Sequence, residues 1–212
     1  MGQIFVIRHG QTEWSAAGRH TGRTDVPLTP LGRRQGEALA VMLMNRQFAL
    51  VLTSPLIRAR ATCELAGFGK HAKLEPDLAE WDYGQFEGLT TREIRERVPG
   101  WSIWTHPPEN GEDLEDMAAR ADRVLQKVRA VEGDVALFGH GHALRVLTAR
   151  WLGLAPTVGS GFILETAAIG VLGWDREFPA IVHWNQPCQP RGDTPTLFGN
   201  PTWSGRAGAP RR

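Results

Sequence analysis

Cysteine is scarce in this chain: Cys63 and Cys188 are the only thiols among 212 residues. Two cysteines cannot build a disulfide framework, so a packed core must hold the fold, and a reducing compartment is the simpler setting. Long hydrophobic runs are lacking too, and none approaches the roughly 20 apolar residues of a membrane-spanning helix. The first run, Ile4-Phe5-Val6-Ile7, stops at Arg8, too short for the h-region of a secretory signal. The opening Met1-Gly2-Gln3-Ile4-Phe5-Val6 carries no Ser or Thr where a myristoylation signal needs one. Nor does either charge dominate: 24 basic residues face 23 acidic ones, a net charge of +1. That balance argues against a general binder of nucleic acid or membrane surface, yet permits a local basic pocket. A cytoplasmic protein with no nucleic-acid or membrane partner is the expectation.

What is present suits a single globular domain, with 42% apolar and 22% charged residues. Buried-strand runs stand at 4–7, 49–54 and 134–140, with later strands at 168–174 and 180–184. Helices alternate with them. "TPLGRRQGEALAVMLMNR" has Thr29 to cap it, Pro30 at its first position and a stripe of Leu31, Ala38, Leu39, Met42 and Leu43. Ser54 is read as the cap of a helix that starts at Pro55 and turns Ile57, Ala61 and Leu65 inward. Thr90 and Glu93 form a capping-box pair, residues 113–131 show the clearest helical period, and "ALRVLTARWLG" follows the third strand. This alternation predicts an α/β three-layer sandwich, a mostly parallel central sheet flanked by helices. The last two strands follow each other too closely for a crossover, which predicts an antiparallel edge. We place one domain at 1–186, with a lid or insertion at about 85–112, and a Pro/Gly/Arg-rich tail at 187–212.

Ligands of open α/β sheets sit outside the carboxyl ends of the strands. Here the first strand ends in Arg8-His9-Gly10. The second ends in Thr53-Ser54-Pro55, with Arg58 one turn into the next helix. The third ends in Gly139-His140-Gly141-His142. Two guanidiniums beside two imidazoles suit a compact dianion, because arginine forks match phosphate oxygens. Phosphate esters resist hydrolysis so strongly that enzymatic accelerations reach about 10²¹-fold, whereas a general base supplies only about 10²- to 10⁴-fold. A covalent nucleophile flanked by fixed cations is the economical solution. Cys63 falls inside a helix and Cys188 in the tail, without the loop a thiolate phosphatase needs. His9 fits, beside Arg8, with Gly10 allowing a phosphate close to the backbone. A metal site on His9, His140 and His142 is the rival, although no Cys or carboxylate completes a recognisable spacing.

"RHGQTEW" resembles the signature of the histidine phosphatase superfamily, also called the phosphoglycerate mutase-like family. "TGRTDVPLTPLG", "SPLIRARATC", "LAEWDYGQFEGLTTREI" and "FGHGHALR" follow in that family's order, over residues 4 to about 175. The resemblance implies a phosphohistidine on His9, with Arg8, Arg58 and His140 holding the phosphoryl oxygens and Glu80 protonating the leaving group. It implies a substrate side lined by His20, Thr21, Gly22 and Gly141. Ser15 stands where many members carry asparagine, and its hydroxyl can still donate to an oxygen. Glu80 also suits the chemistry, since the alkoxide leaving group needs a proton and the incoming water must lose one. The branch most similar holds broad-specificity acid phosphatases and sedoheptulose-bisphosphatase-like enzymes, where the residues matching Tyr83 and Arg145 contact the sugar phosphate. "ERVPGWSIWTHPPENGED" lacks the arginine pair a mutase uses to shield its intermediate, so a phosphatase is favoured over a mutase, and the presence of nucleophile, acid and both arginines favours it over a non-catalytic phosphate-binding protein. Trp101 and Trp104 in that segment are read as a lid or as packing aromatics. The expected substrate is a small phosphorylated metabolite, with no cofactor and no metal, and a homodimer is the common family state.

Overall fold

The computed structural model describes residues 2–188. Six strands form one sheet: β1 (Ile4–Arg8), β2 (Leu50–Thr53), β3 (Ala72–Leu74), β4 (Val135–Gly139), β5 (Ile169–Asp175) and β6 (Phe178–Gln186). Their order is β3-β2-β4-β1-β5-β6. β3, β2, β4 and β1 run parallel, while β5 pairs antiparallel with both β1 and β6. The mostly parallel sheet and the antiparallel edge both match expectation.

The helices are α1 (Glu13–Ala16), α2 (Pro30–Leu43), α3 (Ile57–Leu65), α4 (Thr91–Arg97), α5 (Leu114–Arg129) and α6 (Gly141–Trp151). Alternation along the strands sorts the core into two layers. Ile4, Val6, Val135 and Leu137 face one way, with Val124, Leu125 and Val128 of α5 and Leu144 and Leu147 of α6. Phe5, Ile7, Ala136 and Phe138 face the other, with Leu39 and Leu43 of α2 and Cys63 of α3. Each such side chain contributes about 1.5–3 kcal/mol by leaving water, so both faces of β1 and β4 must be apolar, and their sequences are.

Thr29 caps α2 through the Gly32 N–H, and the Thr90–Glu93 capping box opens α4. Ser54 is different. α3 begins at Ile57 with Leu56 as its N-cap and no side-chain cap, and Ile57 itself is exposed while Arg58 is buried. β3 and α1 escaped the sequence reading, because three and four residues are too short to show a period. The 85–112 segment packs closely, with Trp101 and Ile103 buried against the α5–α6 layer. Cys188 is also buried and touches Gln35 O, while the remainder of the tail, 189–212, lies outside the described residues. No helix among the described residues is long and apolar enough to cross a membrane.

Candidate active site

Sheet register makes the site. Arg8 of β1 stands opposite Gly139 of β4, and Thr53 of β2 opposite Phe138, so the three parallel strands end nearly level. The residues that follow, His9, Ser54 and His140, therefore meet at one edge. His9 and His140 lie with ring centroids 5.2 Å apart.

His9 is buried, and its Nδ1 sits 2.7 Å from Gly10 O, an acceptor only. Nδ1 thus carries the proton and donates, which leaves a lone pair on Nε2. Burial, then the charges of Arg58 and Arg8, hold His9 well below the usual histidine range, against the smaller opposing pull of the Gly10 carbonyl. The ring is neutral, with Nε2 free to accept or to attack. Gly10 also has a packing duty. A Cβ there would stand 2.4 Å from Gly32 O, so its bareness admits the α2 backbone, and its N–H donates to Thr62 Oγ1 at 3.0 Å.

Arg8 Nη1 donates to Leu164 O at 2.7 Å, and a Cβ on Gly141 would lie 3.4 Å from its guanidinium carbon. Arg58, fully buried, donates to the carbonyls of Thr21, Gly22 and Thr24 at 2.8–3.0 Å. Burial lowers both arginines from their ordinary value, and Glu80 is the first opposing charge for each. Arg8 Nε, Arg58 Nε and His140 Nδ1 are buried without a hydrogen-bond partner among the described residues. Unpartnered buried donors are costly unless something meets them. Such donors suit an anion with several oxygens.

Glu80 lies in this group's field and is anchored by main-chain donors. Oε1 accepts from Trp81 N at 3.0 Å and Ala143 N at 2.9 Å, and Oε2 from His142 N at 3.2 Å. Two of these donors, the His142 and Ala143 N–H groups, belong to the first turn of α6. Arg120 of α5 steadies the approach to Glu80. It forks onto Glu112 at 2.6 and 2.7 Å and gives Nη1 to the carbonyls of Asp77 and Ala79.

Tyr83, the chain's one tyrosine, places its hydroxyl 2.6 Å from His142 Nδ1. Burial, with Glu80 adding, raises its pKa well above the ordinary value, so the phenol keeps its proton. The His20 ring lies tilted against Tyr83 with centroids 4.8 Å apart, contacts Thr91 Oγ1 at 3.2 Å, and burial lowers it to about 4. Arg145 donates to Gly159 O and Ser160 O, and its guanidinium lies 4.8 Å over the Trp104 ring. Ser15 forms the α1 capping box with Thr12. Thr21 and Gly22 hold Arg58 through their carbonyls, and the Gly22 N–H goes to Glu87 at 2.9 Å.

Sequence reasoning missed Glu87, whose carboxylate gathers the N–H groups of Gly22, Arg23 and Thr24 and so shapes the loop that grips Arg58. It counted His142 at the strand-end edge and weighed it as a metal ligand, and did not foresee its engagement with Tyr83. Among the described residues no group of three or more His, Cys, Asp or Glu side chains is placed to hold a metal.

The chain is 40% identical to an acid phosphatase of Mycobacterium tuberculosis, over 82% of this chain and 87% of that one. It is 38% identical to sedoheptulose 1,7-bisphosphatase of Saccharomyces cerevisiae, over 72% and 68% respectively. In three dimensions it is similar to a mycobacterial glucosyl-3-phosphoglycerate phosphatase solved with VO3, with TM-score 0.80, 29% identity, and 88% of this chain and 100% of that one covered. Residues 4–187 match the family described as histidine phosphatase superfamily (branch 1), and the chain belongs to it.

Proposed function

We propose that this protein hydrolyses phosphate monoesters of small metabolites, sugar phosphates or similar, through a phosphohistidine on His9. Family membership and relatives named as phosphatases support hydrolase chemistry. The observation that carries the mechanism is the state of His9. Its proton is held on Nδ1 by Gly10 O, and a bare Nε2 sits among the charges of Arg8 and Arg58.

In the first step Nε2 attacks phosphorus and the ester oxygen leaves with a proton from Glu80. The Nδ1–H bond to Gly10 O spreads the positive charge that the phosphorylated ring acquires. Arg8, Arg58 and His140 meet the phosphoryl oxygens, where charge accumulates in the transition state. In the second step Glu80 takes a proton from water, which attacks phosphorus and frees His9 and inorganic phosphate. Fixed cations do the charge stabilisation, so the reading is metal-independent.

The leaving-group side is aromatic, with Tyr83, His20, His142 and Trp104 as neighbours. Arg145 keeps Nη1 for an incoming group after its two carbonyl bonds. Those features suit a polyhydroxylated or carboxylated ester better than a bisphosphate held on many cations.

Radiolabelled substrate mixed rapidly with enzyme and quenched into denaturant tests the mechanism. Label retained on His9, and absent from His9→Ala together with turnover, is the expected result. Turnover with no label at His9 would overturn the mechanism, and steady hydrolysis by His9→Ala would do the same.

A further inference from the structure

Ser54 follows β2 directly and does not cap α3, although a Ser-Pro pair at a strand end reads as a cap. Its side chain is fully buried and turns to the site. Oγ lies 2.7 Å from His140 Nε2 and receives the Leu56 N–H at 3.3 Å.

Hydrogen-bond accounting decides which way that proton points. A hydroxyl has one hydrogen to give, and Ser54 has no acceptor besides His140 among the described residues. Were Nε2 to donate to Ser54, the buried hydroxyl hydrogen would be stranded, and His140 Nδ1 would present a bare lone pair. With Ser54 donating to Nε2, the ring's proton resides on Nδ1. Burial, with Arg58, His9 and Arg8 nearby, keeps His140 far below its ordinary range, so the ring holds one N–H rather than two. That Nδ1 is itself buried and unpartnered, like Arg8 Nε and Arg58 Nε in the same cluster. Three donors without an acceptor suit an anion. A lone pair in the place of one of them would repel it.

We infer that Ser54 is a positioning residue: by donating to Nε2 it fixes His140 as the Nδ1–H tautomer, so that the imidazole offers a proton to the phosphoryl group. The inference rests on the phosphatase reading for its purpose, but the tautomer is a property of the resting protein. Removing the hydroxyl frees Nε2 to compete for the ring proton. The catalytic loss is then that of one hydrogen bond to a charged group, about 10- to 100-fold.

Proton–nitrogen NMR on isotope-labelled histidine separates a protonated ring nitrogen from a bare one. The His140 signals are assigned by their loss in His140→Gln. The expected result is Nδ1 protonated and Nε2 bare in the wild type, with Ser54→Ala shifting the proton toward Nε2. Vanadate affinity and kcat/KM on p-nitrophenyl phosphate should then both fall by about 10- to 100-fold in Ser54→Ala. A wild-type ring with its proton on Nε2 overturns the inference without any variant. A Ser54→Ala protein with the shifted tautomer but unchanged vanadate affinity and turnover overturns it as well. Failure of the wild type to hydrolyse any ester would instead strike the proposed function, since the tautomer is measured without turnover.

Discussion

On the proposed mechanism, replacing Arg58 by alanine removes a loop anchor and a catalytic cation at once, and the two effects differ enough in size to be read separately. The guanidinium makes three hydrogen bonds, all to carbonyls of one loop: Thr24 O at 2.9 Å, Thr21 O at 3.0 Å and Gly22 O at 2.8 Å. A bond from a charged donor contributes about 1.5–3 kcal/mol, so simple addition gives roughly 5–9 kcal/mol. Two effects cut that down. Thr24 is exposed and Thr21 half-buried, so their carbonyls regain water, and Gly22 alone stays buried. Truncation also removes a cation that burial holds away from water, which offsets part of the loss. A net loss of about 2–4 kcal/mol remains. On the rate, losing a guanidinium that meets transition-state charge costs about 10³-fold or more. Arg58→Lys keeps the charge but not the fork, so it should recover part of the stability and little of the rate. Urea melts followed by circular dichroism give the first quantity, and turnover of p-nitrophenyl phosphate the second. An unmoved urea midpoint in Arg58→Ala would refute the loop-anchoring argument. Turnover within about tenfold of wild type would refute the catalytic one.

Glu80→Gln sets an amide where three main-chain N–H groups converge, and one of its two heads is no longer an acceptor. It should slow esters with poor leaving groups more than esters with good ones, and equal losses on both would remove its acid role. Gly10→Ala drives a Cβ to 2.4 Å from Gly32 O, a main-chain atom. Overpacking of that kind costs about 1–3 kcal/mol, or about 2–10 °C of Tm, and a wild-type melting curve would contradict the close approach of α2. His20, lowered to about 4, binds its proton more weakly folded than unfolded. The unfolded chain therefore takes up more protons between about pH 6.5 and 4, and stability must fall as pH drops through that window, by roughly 3 kcal/mol at most. His9, His140 and His142 shift in the same direction and steepen the acid limb. His20→Gln should flatten part of it, and an unchanged slope of urea-measured stability against pH would show that His20 titrates normally.

The positions of the site were legible because they depend on where apolar runs end. Ile4–Ile7, Leu50–Leu52 and Val135–Phe138 must be buried on both faces, which makes their last residues neighbours once the strands pair in parallel. Arg8, His9 and His140 follow from that, whereas Arg58 depends on how α3 starts after β2. Partner choice did not follow. A polar atom near a strand end has several acceptors in reach, and only the three-dimensional register selects one. Ser54 shows the difference most sharply. Its local context, a serine before a proline and then a helix, supports capping, and the partner it takes instead is His140, 86 residues away. Glu87 is the same case, with its three N–H partners more than 60 residues distant. Gly10 gains a packing role for a related reason, since the backbone that passes closest to it belongs to α2. Residues gathered at the strand ends are thus set by strand order. Those that decide where each proton sits are set by packing between elements far apart in the chain, and that second layer must be read from geometry.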